Sequence, residues 1–116
     1  MNLREERAAR NEALFREVNE QVRSLAGRRG TAAVEEIGAV CECSDDQCVE
    51  RVWLPLTAYE RVREHGRQFI VASGHESEFE EVVGQESGYT VVQKQGKAGQ
   101  IAEDVDPRRP DRPGSA

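Results

Sequence analysis

No run of this 116-residue chain approaches the ~18–20 consecutive apolar residues that a membrane span needs. Its first dozen residues, MNLREERAARNE, are charged throughout and lack the apolar stretch of a secretion signal. The sequence therefore reads as a cytoplasmic protein with no membrane partner. Basic residues never cluster beyond pairs such as Arg108-Arg109, and the net charge is −6. A duplex binder usually presents a basic face, because neutralised phosphates supply much of its affinity, so nucleic acid is disfavoured as a partner. Aromatic residues are scarce, at 5 %, and hydrophobic residues make up 37 % against 33 % charged. A core that lean, in a single domain of this length, sits near the limit where burial offsets chain entropy. G-x-S-x-G, H-E-x-x-H and Walker sequences are all absent, so an enzyme is the less favoured reading.

What the chain does have is concentrated. Its three cysteines, Cys41, Cys43 and Cys48, fall in the run C-E-C-S-D-D-Q-C, and its two histidines are His65 and His75. Three thiols cannot all pair within one chain, and in a reducing compartment close-set thiols read as ligands or redox groups. Zinc takes four soft or borderline donors at tetrahedral corners, and three thiolates with one imidazole complete that set. A closed shell of four protein ligands leaves no position for water, so the expected site is structural, with one zinc per chain. His75 is preferred as the fourth ligand because it follows Gly74 in a turn that can approach a metal closely. His65 is the competitor, placed at a helix end where a solvated histidine is ordinary. Asp45 and Asp46 suit a turn better than a ligand role. Iron–sulfur clusters usually take four cysteines, which leaves iron as the lesser alternative. Redox chemistry of the thiols is the other one, and Glu42 between them opposes it by raising a thiol's pKa.

Around this cluster the pattern predicts an α+β fold. Leu14, Phe15, Val18, Val22, Leu25 and Ala26 recur at helical spacing over residues 2–27, so an N-terminal amphipathic helix packs this stripe on the core. Glu12 and Arg16 then form an i, i+4 surface pair. Residues 28–38 read as a loop. Residues 39–43 and 49–54 read as strands of a hairpin whose turn swings Cys48 toward Cys41 and Cys43, a zinc knuckle. Thr57 and Glu60 suggest a capping box opening a short helix over 58–65, with Tyr59 and Val62 facing inward. Residues 68–72 form a buried strand, 79–84 and 89–94 a second hairpin, and 98–105 a helical turn. All strands belong to one small, mainly antiparallel sheet. Trp53 is assigned to the core, with a surface anchor as the alternative. The domain plan is a charged N-terminal extension over 1–10, a zinc-stapled domain over 11–105 and a disordered tail over 106–116.

The runs NEALFREVNEQV, CECSDDQCVERV, LTAYERVREHGRQFIVASGHE and YTVVQKQGKAGQIAEDVDPR resemble a family of small uncharacterised bacterial proteins. The resemblance spans about Asn11 to Arg108. In that family the cysteines and the histidine of the Gly-His-Glu turn recur together, which implies Cys41, Cys43, Cys48 and His75 as one site. Relatives often carry Pro-Gly-His where this chain has Ser73-Gly74-His75. The resemblance implies no activity. The function expected is a zinc-binding module with a protein-interaction or regulatory role, its protein partner unnamed and homo-oligomerisation through the N-terminal helix open. The alternative is a thiol redox sensor or metal-dependent enzyme using the same cysteines.

Overall fold

Three helices and five strands make up the described residues of the computed structural model, 3–28 and 36–109, in the order α1 (Leu3–Arg28), β1 (Glu36–Val40), β2 (Arg51–Pro55), α2 (Leu56–Arg63), β3 (Gln68–Val71), β4 (Glu80–Glu86), β5 (Tyr89–Lys94) and α3 (Gly96–Asp104). The α+β class is as expected. The single sheet is not: β1 and β2 form an antiparallel pair, and β3, β5 and β4 form a separate antiparallel sheet in that order. The two are joined through the residues just after β1. The Cys41 N–H continues the first ladder by bonding Glu50 O, and the Glu42 N–H bonds Ile70 O on β3 at 2.8 Å. A short extended run thus lies between two sheets and belongs to neither. Most of the loop predicted over 28–38 lies outside the described residues, and β1 already starts at Glu36.

The core is small and sits between the sheets and the helices. Leu54, Tyr59, Phe69, Ile70 and Val92 are its largest apolar members, each at most 1 % exposed. Tyr59 and Val62 of α2 face inward as expected. No capping box forms, however. Pro55 takes the N-cap position without a side-chain bond, and Thr57 lies inside the helix. Pro55, with φ −61, fixes the chain's entry into the helix without capping it. The second hairpin turns at Ser87-Gly88, where Gly88 adopts φ 93, a left-handed conformation that glycine accepts without strain.

The N-terminal helix is oriented differently from the expectation. Leu14 and Leu25 are each 58 % exposed and Val18 is 40 % exposed. Of the expected stripe only Phe15 and Val22 are half-buried, and Val22 packs on the core. The side chain of Ala26 lies outside the described ones. The inward face carries Ala8, Ala9, Glu12, Arg16 and Asn19. Glu12 and Arg16 are not a surface pair. Glu12 meets the Lys94 ammonium, and both are fully buried. Arg16 donates to Gly66 O and Ala102 O, each at 2.7 Å, and lies over the Phe69 ring at 4.6 Å. Hydrogen bonds decide the orientation. Buried carbonyls without a partner are costly, and only the polar face of α1 reaches those of α3 and of the α2–β3 turn.

Residues 3–10, which the sequence assigns to an extension, are part of α1, with Ala8 and Ala9 buried. Asp106, assigned to the tail, is buried against Arg63, and Arg108 bonds Glu20 and Glu60. The tail's residues 110–116 lie outside the described ones. Trp53 is not in the core. It is 59 % exposed and faces Gly38 across the β1–β2 pair. A Cβ at Gly38 would stand 2.7 Å from the indole, so glycine is what lets the ring lie flat over the neighbouring strand.

Candidate metal centre

Four donors converge at the junction of the two sheets. One donor atom from each of Cys41, Cys43, Cys48 and His75 lies within 4.8 Å of the other three, and among the described residues no other group of histidines, cysteines and carboxylates does this. His65 stands exposed beyond the end of α2, outside the cluster. Asp45 and Asp46 act as turn residues. The Cys48 N–H bonds Asp45 O at 3.1 Å, and the Gln47 N–H bonds Asp45 Oδ1 at 2.9 Å.

Local structure explains the convergence. Successive residues of an extended chain point to opposite sides, so Cys41 and Cys43 share one side of the run after β1 and Glu42 takes the other. The Asp45–Cys48 turn brings the third sulfur back. His75 arrives from β3: Gly74 adopts φ 87, and the His75 N–H closes a turn onto Ala72 O at 2.9 Å. The Ala72 N–H donates to Cys41 Sγ at 3.1 Å. One backbone unit therefore fixes the imidazole through its carbonyl and the first sulfur through its amide.

The distances fit a tetrahedral ion. His75 Nδ1 lies 3.6 Å from Cys41 Sγ and 3.6 Å from Cys48 Sγ. Thiolate and imidazole donors at ~2.3 and ~2.0 Å from a zinc ion stand ~3.5 Å apart across a tetrahedron. The near nitrogen is Nδ1, so an ion held there would leave Nε2 to carry the ring proton. Three thiolates and one imidazole around a divalent cation sum to one negative charge, and the Ala72 N–H is the donor that faces it. This donor lies just past the end of β3, and the turn's own Cys48 N–H is taken up by Asp45 O.

Burial pushes the Cys41 thiol up, an effect that the Ala72 N–H opposes and the neighbouring Cys43 and Cys48 reinforce. Burial likewise raises Cys43. Cys41 and Cys43 are each 2 % exposed, while Cys48 and His75 are half-buried. A divalent cation reverses this balance, since a coordinating thiol is deprotonated outright.

On the opposite side of the same run, Glu42 is held in a second set of contacts. Its Oε1 accepts the Ile70 N–H at 3.0 Å and its Oε2 accepts Asn19 Nδ2 at 2.7 Å. Burial pushes this carboxyl up to about 7, against the lowering effect of those two donors. The Asn19 amide also bonds both backbone groups of Val40, donating to its O at 2.8 Å and accepting its N–H at 2.7 Å. Asn19, Glu42 and Ala72 therefore position the site. Sequence reasoning misses Asn19 because its partners are brought near only by the fold, and Ala72 because it acts through backbone alone.

Among the described residues no helix is long and apolar enough to cross a membrane. No protein-family model, curated protein or solved structure matches the chain, so the resemblance to small bacterial proteins gains no support and the metal centre is argued from its geometry.

Proposed function

We propose that this protein is a small zinc-binding module whose Cys3His site is structural and whose role is protein interaction or regulation. The observation that carries the reading is the convergence of four donors, drawn from two separate stretches of chain, at the spacing of a tetrahedral zinc shell. Zinc is favoured over iron because the donor set is a closed Cys3His shell, whereas iron–sulfur clusters are held by four thiolates in the usual case. Burial of Cys41 and Cys43 supports a structural role over a redox one, since reactive thiols need exposure and a lowered pKa.

The test is metal analysis of protein purified without added metal, with circular dichroism before and after chelation. One zinc per chain and loss of structure on chelation are expected, because site formation and folding share one free energy. His75→Ala should lose the metal and His65→Ala should keep it. A metal-free protein that is nonetheless folded, or a metal held by the His75 variant but not by the His65 variant, overturns the reading. Thiols that titrate freely in the native protein, and join on mild peroxide treatment, would favour the redox alternative.

A further inference from the structure

The outward face of α1 carries three exposed leucines. Leu3, Leu14 and Leu25 are 61 %, 58 % and 58 % exposed, far more than their chemistry favours in water. They are spaced by eleven residues, a period that returns to within ~20° of the same line after three helical turns. The three leucines therefore form one straight ridge ~33 Å long. Val18 lies beside it, and Val105, just past α3 and 39 % exposed, extends it sideways. Between the helices, Ala13, Leu14, Ile101 and Val105 line a shallow cleft of about 230 Å³.

We propose that two copies of this chain pair antiparallel along this ridge, across a two-fold axis at Leu14. Equal spacing lets leucine meet leucine in this sense as it does in a parallel pair, so the charges decide between the two. Antiparallel pairing about position 14 sets Leu14 against Leu14 of the second copy and Leu3 against its Leu25, so every ridge leucine meets a leucine. This is the isologous geometry of most small homodimers. Charge selects the same direction. The exposed N-terminal half of the face carries Arg7 and Arg10, and the C-terminal half carries Glu17 and Gln21. Antiparallel packing lays Arg10 beside Glu17 of the second copy and Arg7 beside Gln21. Parallel packing would instead stack Arg7 on Arg7 and Arg10 on Arg10. Arg10 already touches Glu6 at 2.8 Å, but an exposed i, i+4 pair of that kind is worth little and leaves the guanidinium free to bridge. The apposed helix dipoles also oppose favourably.

The chain's own tail is a poor alternative occupant. Its residues 110–116, Pro-Asp-Arg-Pro-Gly-Ser-Ala, hold no branched aliphatic or aromatic side chain to fill the ridge. The ridge with its flanking side chains covers on the order of 600 Å² per copy, at the low end of specific interfaces, so the dimer should be concentration-dependent. The inference does not rest on the metal site, which lies elsewhere in the fold.

Sedimentation equilibrium of the full metal-loaded chain across a wide concentration range tests it. Wild type should pass from monomer to dimer. Leu14→Asp should weaken association at least about tenfold, since two buried carboxylates would face each other, while keeping its metal content and far-ultraviolet dichroism. Leu25→Asp serves as the second variant should Leu14→Asp fail to fold. Arg10→Glu and Glu17→Arg should each weaken the dimer, and the double variant should restore it. A chain that stays monomeric throughout, or an assembly that survives both leucine variants, overturns the proposal. So does an assembly lost on chelation but indifferent to Leu14→Asp. A charge-reversed double variant no better than its singles rules out the antiparallel register.

Discussion

Asn19→Ala is the substitution that most directly tests how this small fold is held. The Asn19 amide makes three hydrogen bonds: two with the backbone of Val40, at 2.7 and 2.8 Å, and one with Glu42 Oε2 at 2.7 Å. It stands where a neighbouring strand would stand on the open edge of β1. Alanine would leave a backbone N–H, a backbone carbonyl and a carboxylate oxygen without partners, and Asn19 is fully buried, so water would not readily replace it. An unsatisfied buried group costs ~1–3 kcal/mol, and the three together on the order of 3–5 kcal/mol. Small domains have only ~5–15 kcal/mol of stability in all. The midpoint of thermal unfolding should fall by on the order of 15 °C, with ~4–8 °C lost per kcal/mol in a domain of this size. Asn11 supplies an internal control. It lies on the same helix and makes one part-buried bond, to Ser44 O at 3.0 Å, so Asn11→Ala should cost ~1 kcal/mol. Urea unfolding of the metal-loaded proteins measures both. If Asn19→Ala costs no more than Asn11→Ala, the account of α1 as a helix anchored by its polar side is wrong.

Two further outcomes follow from other parts of the molecule. Burial, reinforced by Glu80 and opposed by Lys94, pushes the Glu12 carboxyl up to about 9 from its ordinary 4.5. The folded state therefore holds a proton that the unfolded chain gives up between those values, and stability contributed at low pH is lost as pH rises through that window. Glu12→Gln mimics the protonated form, so urea unfolding from acid to mildly alkaline pH should show a flatter decline than wild type; an unchanged slope would remove Glu12 as its source. At Gly38, alanine would place its Cβ 2.7 Å from the Trp53 ring and lift the indole from the strand. Because Trp53 is exposed, stability should change by less than about 1 kcal/mol while the emission of this single tryptophan shifts; a large loss of stability would mean the ring is part of the core.

The sequence makes the Cys3His cluster legible because its signal is chemical and local. Three thiols in eight positions have few uses, and alternation along an extended run already puts Cys41 and Cys43 on one side. His75 could be ranked above His65 because Gly74 supplies the positive φ that the turn needs. The α+β class and most elements follow from periodicity in the same way. The orientation of α1 does not. Hydropathy counts the aliphatic stripe of Leu14, Val18 and Leu25 as the side to bury, and has no term for carbonyls at Val40, Gly66 and Ala102 that become neighbours only in the folded chain. Trp53 is misplaced for a related reason. Its fate depends on the residue across the strand pair, a glycine, and register is not readable from composition.

Residues 40–43 tie these observations together. This run leaves the first sheet at Val40, and it is held on both sides by alternate residues. Val40 and Glu42 engage Asn19 of α1 and the Ile70 amide of β3, and Cys41 and Cys43 face Cys48 and His75. Neither set alone closes the structure. The polar contacts join α1 to the end of β1 and to β3, but leave the Cys48 turn and the segment after β3 free to separate. An ion bound there would join those two and close the loop between Cys48 and His75, 27 positions apart, an entropic cost that grows only as the logarithm of loop length. A core this lean cannot hold two small sheets together by burial alone. The junction is therefore where both hydrogen bonds and the candidate metal ligands are concentrated, and the aliphatic residues released from that task on α1 are left to face outward.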